Sequence, residues 1–469
     1  MADNQFSLLS KRRFLPFFLT QALGAFNDNV FRNALVIMIA YGGILSSAQI
    51  NTWSNLAAGL FILPFFLFSA TAGQLAEKYE KSRSIRWIKL LEIAIMCAAA
   101  LAFWFKSLPM LVGVLFLMGT QSALFGPIKY SILPQQLTPA ELVGGNGLVS
   151  GGTFLMILLG TLLGGALMSF GVTGNDIAPN GPMLAAAAVI LVAVLGYLAA
   201  RQIPLAPAAN PDLAFNWNPF TETVRILGFL RGNRAVLNSV LGVSWFWFFG
   251  SMFLAQLPNY TREYLGGGAQ VAPLVLALFS IGIGLGSMLC EKLSGRRVEI
   301  GLVPLGAIGL TVFGLDLYFA RPEAATVTGL SAIEFLRAPG SLRIVADLLL
   351  IGLFGGFYIV PLLSLIQTRA PRARLSRIIA ANNILNAIFM VTAAMLAVAL
   401  FAAGLSIPQV LLVTAILNAL VALYIFSLVP EFLMRFVSWL LIVTLYRIRV
   451  HGIDRVPDEV PAVVVCNHV

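Results

Sequence analysis

Long apolar runs are the feature that most constrains this chain. A membrane-spanning helix needs about 20 mostly apolar residues. Runs of this kind fall at twelve places: 14–42, 52–76, 85–105, 108–130, 144–171, 183–201, 235–262, 271–292, 298–319, 343–367, 376–403 and 407–429. Only 11% of the residues are charged, against roughly a quarter in a soluble domain. The pattern predicts an all-α polytopic membrane protein with about twelve transmembrane helices.

The distribution of Lys and Arg predicts the orientation of these spans. The basic residues concentrate in alternate connections, around 11–13, 78–86, 201–234, 292–297 and 369–377. Cytoplasmic loops carry an excess of Lys and Arg, so we expect both termini to be cytoplasmic. The net charge of +10 is therefore explained by the basic residues of the cytoplasmic loops, and no nucleic-acid partner is expected.

Cysteine and histidine usage argues against a metal site in the membrane region. Cys97, Cys290 and Cys466 are far apart, and the two histidines, His451 and His468, lie near the C-terminus. We expect no metal and no cofactor.

The first apolar run is long and contains charges, so it is predicted to be a retained span rather than a signal peptide.

A change of composition divides the chain near its middle. Residues 202–232 are Pro-rich and then amphipathic, which predicts a cytoplasmic linker between residues 1–201 and 233–430. Past Pro430, residues 431–469 contain an apolar stretch too short to span comfortably, which is typical of an interfacial helix.

Internal similarity supports two related halves of six helices each. The segment EKYEKSR at 77–83 resembles EKLSGRR at 291–297, and FGPIKYSILPQ at 125–135 loosely resembles FGGFYIVPLLSLIQ at 354–367. Two parallel six-helix halves are the major facilitator arrangement, in which the substrate site lies near the midplane between the halves.

The first predicted span holds the sharpest candidate site, AFNDNVFRNA at 25–34. A charge in a membrane helix costs about 2.5–3.5 kcal/mol on insertion scales and suggests a function. Asp28 and Arg32 are spaced i, i+4 and can pair on one face, beside Asn29. They predict a headgroup or proton site in a central cavity. The alternative is an internal ion pair that only supports packing.

Two further polar residues are candidates for substrate binding. Lys129 lies in FGPIKYSILP, where Gly and Pro can free backbone groups; the alternative is a lysine that snorkels to the cytoplasmic interface. Asn146 lies in GGNGLVSGG, where small residues permit close helix contact, so packing alone is its alternative.

The charged loops at 77–83 and 291–297 are candidates for gating. They resemble the loop motif between the second and third helices of major facilitator proteins, which gates the cytoplasmic side. The candidate residues are Gly73, Glu77, Lys78, Lys81, Arg83, Glu291, Lys292, Arg296 and Arg297. A plain positive-inside loop explains the charges of the first copy but not the presence of a second.

Four segments together resemble the bacterial lysophospholipid transporter family, LplT. They are AFNDN (25–29), GQLAEKYEKSR (73–83), FGPIKYSIL (125–133) and NGLVSGGTFLMILLG (146–160). The resemblance covers about residues 10–430. It implies movement of lysophospholipids, chiefly lysophosphatidylethanolamine, from the outer to the inner leaflet of the bacterial inner membrane for re-acylation.

Residues 431–469 resemble the entry to a PlsC-type glycerolipid acyltransferase domain. Asn467 and His468 match the start of its NHxxxxD motif, in which the histidine is the general base. The motif's Asp is not within the sequence, so this chain is expected not to be an enzyme itself. It is expected to be part of a transporter–acyltransferase fusion, with the acyltransferase in cis or as a partner.

Two other interpretations stay open. One is a proton-coupled exporter or nutrient carrier of the same fold, with Asp28 as the proton site. The other is an enzyme whose membrane part only anchors an acyltransferase. The expected partners are a lysophospholipid substrate and membrane lipids.

Overall fold

The computed structural model describes residues 5–41, 47–170, 172–173, 176–177, 180–268, 270–294, 301–322 and 328–428. Its α-helices in chain order are α1 (Leu15–Tyr41), α2 (Ser47–Lys78), α3 (Lys81–Trp104), α4 (Leu108–Ser131), α5 (Leu133–Gln136), α6 (Leu142–Ser169), α7 (Asn180–Ala200), α8 (Pro219–Leu230), α9 (Arg234–Glu263), α10 (Val271–Leu293), α11 (Leu302–Ala320), α12 (Ala332–Arg337), α13 (Ser341–Arg369), α14 (Leu375–Ala402) and α15 (Ile407–Leu428). Two short strands, β1 (Val172–Thr173) and β2 (Asp176–Ile177), pair antiparallel between α6 and α7.

Each predicted apolar run coincides with one long helix. Within the described residues, eleven helices are long and apolar enough to cross a membrane. The helix α1 is the twelfth long helix, and its 27 residues correspond to about 40 Å at 1.5 Å per residue. Its hydropathy is lower because polar residues occupy its middle. The predicted all-α polytopic membrane fold is confirmed.

Small residues allow the closest helix contact in the N-terminal half, which comprises α1–α7. A Cβ added at Gly160 of α6 would lie 2.3 Å from the carbonyl oxygen of Phe26, and one at Gly164 would lie 2.5 Å from that of Val30. Neither distance is tolerable, so only glycine permits α6 to lie directly against α1. This packing fixes the rotation of α1 and hence the direction in which its polar residues point.

The two halves meet mainly along two pairs of helices, with smaller contacts of α4 with α14 and of α6 with α13. Within the N-terminal half, α1 packs on α6 and α7, α2 on α4, and α3 on α4 and α7. In the C-terminal half, which comprises α9–α15, α13 packs on both α10 and α11. Contacts of α2 with α14 and of α6 with α10 join the halves.

The chain separates into two compact units, Met1–Ala422 and Leu423–Val469. The second unit is described only as far as Leu428, the end of α15. The predicted interfacial helix, the acyltransferase entry with His468, and the loop residues Arg296 and Arg297 all lie outside the described residues.

The segment predicted as a linker returns along the end of α2. Asn216 exchanges two hydrogen bonds with the Gln74 side chain, at 2.8 and 3.0 Å, and Lys78 Nζ donates to the Leu213 carbonyl at 2.8 Å. We call this end of the helix bundle the linker end.

Glu80, between α2 and α3, accepts hydrogen bonds from the backbone N–H groups of Ala206, Ser82 and Arg83. Partial burial opposes its charge, but these hydrogen bonds outweigh burial and lower the pKa of Glu80.

Candidate functional site

The polar residues in the middle of α1 point to different neighbours. Asn27 donates to Glu92 Oε1 of α3 at 3.0 Å, Asp28 Oδ2 accepts from Ser122 of α4 at 2.9 Å, and Asn29 donates to the Ala25 carbonyl of its own helix at 2.7 Å. Successive helical residues are about 100° apart, so adjacent side chains reach separate partners. Asp28 lies about 20 Å along α1, near the middle of the bundle.

A buried ion pair in α3 lies beside this cluster. Lys89 Nζ and Glu92 Oε2 are 2.6 Å apart, and each side chain is only 1% exposed. Glu92 also accepts from Gln121 at 3.1 Å. Three donors therefore compensate the buried carboxylate, as a buried charge requires. This pair was not predicted from the sequence, although charges inside the predicted third span were a usable signal.

Glycine makes room for the lysine of this pair. A Cβ added at Gly24 of α1 would lie 2.7 Å from Lys89 Nζ, and one at Gly196 of α7 would lie 3.6 Å from it. The ammonium thus occupies space between α1 and α7 that a larger side chain at Gly24 would take.

Ser122 connects the Asp28 carboxylate with the buried pair by way of Gln121. Its hydroxyl oxygen is 2.9 Å from Asp28 Oδ2 and 3.3 Å from Gln121 Oε1. A hydroxyl has one proton, and the shorter contact, with the carboxylate, takes it. Asp28 Oδ1 is buried and has no hydrogen-bond partner among the residues that the structure describes. It is therefore available to a donor that the protein itself does not provide.

Arg32 does not form the ion pair with Asp28 that their spacing suggested. It is exposed, and its guanidinium lies 5.7 Å from the centre of the Phe61 ring, a cation–π contact. Among the described residues, no salt bridge of 4.0 Å or less joins Asp28 to Arg32. The two charges interact electrostatically at longer range. The i, i+4 pairing was wrong, because the rotamers direct the two groups toward α4 and α2.

Lys129 reaches toward the middle of the bundle. Its Nζ donates to Thr153 Oγ1 at 2.9 Å, and Thr153 in turn lies 2.9 Å from Gln21 Oε1. Thr153 is eleven residues into α6, about 16 Å from the start of that helix. The direction differs from that of a snorkelling lysine, which would extend toward the linker end. Lys129 also interacts electrostatically with Asp28.

Asn146 lies apart from this cluster, at the junction of the two halves. It is fully buried, and its amide donates to Gln367 Oε1 at 2.6 Å and to Ser364 Oγ at 3.1 Å, both on α13. The packing alternative fits this position. Its role in substrate binding stays a prediction.

The first charged loop contacts the other half through Glu77. Its carboxylate accepts from Arg377 Nε at 2.7 Å and from the Arg377 backbone N–H at 3.1 Å, in the first turn of α14. Both side chains are almost fully buried. A Cβ at Gly73 would lie 2.8 Å from that of Ala380, so glycine is needed for this approach.

The remaining candidates of this loop have other surroundings. Lys78 binds the linker carbonyl of Leu213, Lys81 is buried, and Arg83 is exposed. The sequence did not single out Arg377, the residue that Glu77 contacts.

The second loop copy contacts the opposite half in a similar way. Glu291, at the end of α10, accepts the backbone N–H of Gln5 at 2.9 Å, and Lys292 is exposed. Gly144 at the start of α6 also lies against the Glu291 carboxylate. In both copies a glutamate at a helix end meets backbone of the other half.

Further hydrogen bonds close the linker end. Ser376 and Ser131 are 2.9 Å apart, and Gln367 Nε2 donates to the Tyr130 carbonyl at 3.0 Å. With the Glu77–Arg377 pair, these contacts hold the ends of α2, α4, α13 and α14 together. The structure is thus in a state closed at the linker end.

Breaking the Glu77–Arg377 pair is expected to favour the state open at that end. Each conformational state is held by contacts absent from the other. Glu77→Gln should increase the population open at the linker end by about tenfold, within the usual range of such couplings. The measurement is cysteine accessibility at that end. Arg201→Ala is the matched control, since its side chain is exposed directly after α7, where the linker begins. Equal labelling of Glu77→Gln and wild type would contradict the gating role.

Comparison with known proteins identifies the class. Residues 17–391 match the family model of the Major Facilitator Superfamily. The chain resembles the fucose:proton symporter FucP in its outward conformation, with a TM-score of 0.65 at 13% identity over 88% of this chain and 99% of that one. A bacterial homologue of the iron transporter ferroportin in an outward-facing state gives 0.62 at 13% identity, over 89% and 100% of the two chains. These likenesses concern the fold. The chain belongs to the major facilitator superfamily and is a transporter.

Sequence relatives identify the family within this superfamily. The "Lysophospholipid transporter LplT" of Escherichia fergusonii is 30% identical over 360 residues, which are 76% of this chain and 80% of the relative. That of Klebsiella pneumoniae subsp. pneumoniae is 29% identical over 371 residues, 77% and 82% of the two chains. Within the superfamily, the chain belongs to the LplT family.

Proposed function

We propose that the protein moves lysophospholipids, chiefly lysophosphatidylethanolamine, from the outer to the inner leaflet of a bacterial inner membrane. The observation that carries the proposal is the unpartnered, buried Asp28 Oδ1 in the middle of the bundle, with Lys129 in the same electrostatic cluster. The headgroup of this lipid has an ammonium and a phosphate. A carboxylate can accept from the first and a lysine can donate to the second.

The proposed topology places the linker end in the cytoplasm, because the basic clusters lie there. The halves are then residues 1–201 and 233–430, joined by the linker at 202–232. In this orientation the closed linker end leaves the site to be loaded from the outer side. Re-acylation of the product by an acyltransferase partner completes the proposed role.

Lys129→Ala is expected to raise the substrate concentration at half-maximal transport. Removing a charge-assisted hydrogen bond to phosphate costs about 1.5–3 kcal/mol, or about 10- to 150-fold in affinity. Arg201→Ala is the control, an exposed basic residue directly after α7 and outside the cluster. Both variants should accumulate normally in the membrane. Loss of protein in proportion to loss of transport would instead assign Lys129 a packing role.

A proton-coupled carrier of another solute is the second candidate. It is supported by the same buried carboxylate, since an intramembrane acid is a suitable proton site. Lysophosphatidylethanolamine, its diacyl form and a sugar would be tested for uptake by spheroplasts that express this chain and no other member of its family. Selective uptake of the lysolipid, retained when the proton gradient is collapsed, is the expected result. Uptake of a soluble solute alone, lost on collapse, would favour the second candidate.

A further inference from the structure

The linker helix α8 has two unlike faces. Glu222, Ile226 and Leu230 are at most 2% exposed and follow the helical i, i+4, i+8 spacing. Phe220 is 65% and Val224 72% exposed on the other side. Trp217, two residues before the helix, is 85% exposed. An apolar face of this kind is unfavourable in water and favourable at a membrane interface.

The buried face of α8 contacts Arg377, the arginine that pairs with Glu77. Glu222 Oε1 lies 3.7 Å from Arg377 Nη1, and Glu222 is fully buried. The Phe229 ring is 4.9 Å from the guanidinium groups of both Arg377 and Arg374. Arg377 therefore lies between two carboxylates, one from α2 and one from α8.

The exposed face of α8 continues the apolar surface of a membrane span. A groove of about 220 Å³ separates α8 from α2 and is lined by Phe66, Leu67, Pro219, Phe220, Thr223 and Val224. Phe66 and Leu67 belong to the candidate span Leu56–Lys78, so the groove opens where acyl chains lie.

The exposed charged residues on α8 and directly after it are basic. Arg225, Arg231 and Arg234 are exposed, whereas Glu222, the acidic residue of α8, is buried against Arg377 and lies 3.7 Å from Arg225. Exposed arginines beside an apolar face suit the phosphate groups of anionic lipids.

From these contacts we propose that α8 is a binding site for anionic phospholipid of the adjacent leaflet. An acyl chain occupies the groove and the phosphate meets the arginines. Bound lipid keeps α8 in place and therefore keeps Glu222 beside Arg377, which stabilises the state closed at the linker end. The site is separate from the Asp28 cluster, and its test requires no transported substrate.

Spin labels on α8 test the membrane contact. Val224→Cys would be labelled in a chain without its native cysteines and placed in nanodiscs of mixed zwitterionic and anionic phospholipid. Collisions with oxygen, which concentrates in lipid, should exceed those with a water-soluble nickel complex. Asp212→Cys is the control, an exposed linker position expected to show the opposite order. Greater nickel than oxygen accessibility at residue 224 would overturn the proposal and leave a protein partner as the better occupant.

A distance measurement tests the coupling to the gate. Labels at the exposed positions Arg83 and Lys292 report the separation of the halves at the linker end. Exchange of anionic for zwitterionic lipid should increase the open population about three- to tenfold. Val224→Asp should do the same, and Glu222→Gln should lose the lipid dependence. An open population that does not change on lipid exchange in the wild type would contradict the coupling, whether or not the variants fold.

Discussion

Asp28→Asn is expected to reduce lysophosphatidylethanolamine transport at least about tenfold while leaving expression unchanged. The substitution keeps the size of the side chain and its contact with Ser122. It removes the negative charge that would meet the substrate ammonium, and a hydrogen bond to a charged group is worth about 1.5–3 kcal/mol. Initial rates in proteoliposomes at matched protein amounts are the measurement.

The control for this prediction is a second acidic residue of a membrane helix. Asp316 of α11 forms a salt bridge with Arg343 of α13, and both residues lie in the C-terminal half, away from the cluster. Asp316→Asn should retain transport within about twofold, because a partly exposed pair contributes little. Wild-type rates for Asp28→Asn would remove Asp28 from the substrate site.

Single substitutions in the Lys89–Glu92 pair are expected to have the largest effect on stability. Lys89→Met leaves Glu92 buried without its cation, and Glu92→Leu leaves an unpaired ammonium. Breaking a buried pair in this way costs about 3–5 kcal/mol. Both single variants should show strongly reduced thermal stability in detergent or fail to accumulate.

The double variant separates charge from packing. Lys89→Met with Glu92→Leu removes both charges and keeps similar volume, so it should recover a large part of the lost stability. Asn27 and Gln121 would then lose their acceptor, so recovery should be incomplete. A double variant that is less stable than either single one would show that the pair itself is not the source of the effect.

The sequence predicted the elements of this fold closely, because a lipid-spanning helix needs a long apolar run. The run at 14–42 became Leu15–Tyr41, and the run at 407–429 became Ile407–Leu428. The repeated glutamate loops were also visible, and in the structure each meets backbone of the opposite half.

Side-chain partners were harder to predict, since helical period gives a face but not the neighbour that covers it. Spacing suggested that Asp28 pairs with Arg32, yet Asp28 accepts a hydrogen bond from Ser122 and Arg32 lies over the Phe61 ring. Contacts such as Glu77 with Arg377 join positions 300 residues apart, and only the packing of the two halves determines them. The path of the linker and the buried Glu222 depend on the same packing.

The most direct test of the proposed transport follows a fluorescent lysophosphatidylethanolamine in proteoliposomes containing this chain. The lipid is added outside, and the fraction that albumin can no longer extract is followed over time. The wild-type chain should transfer it to the inner leaflet faster than Asp28→Asn and faster than protein-free liposomes. Equal rates of protection from albumin in all three preparations would contradict the proposed transport.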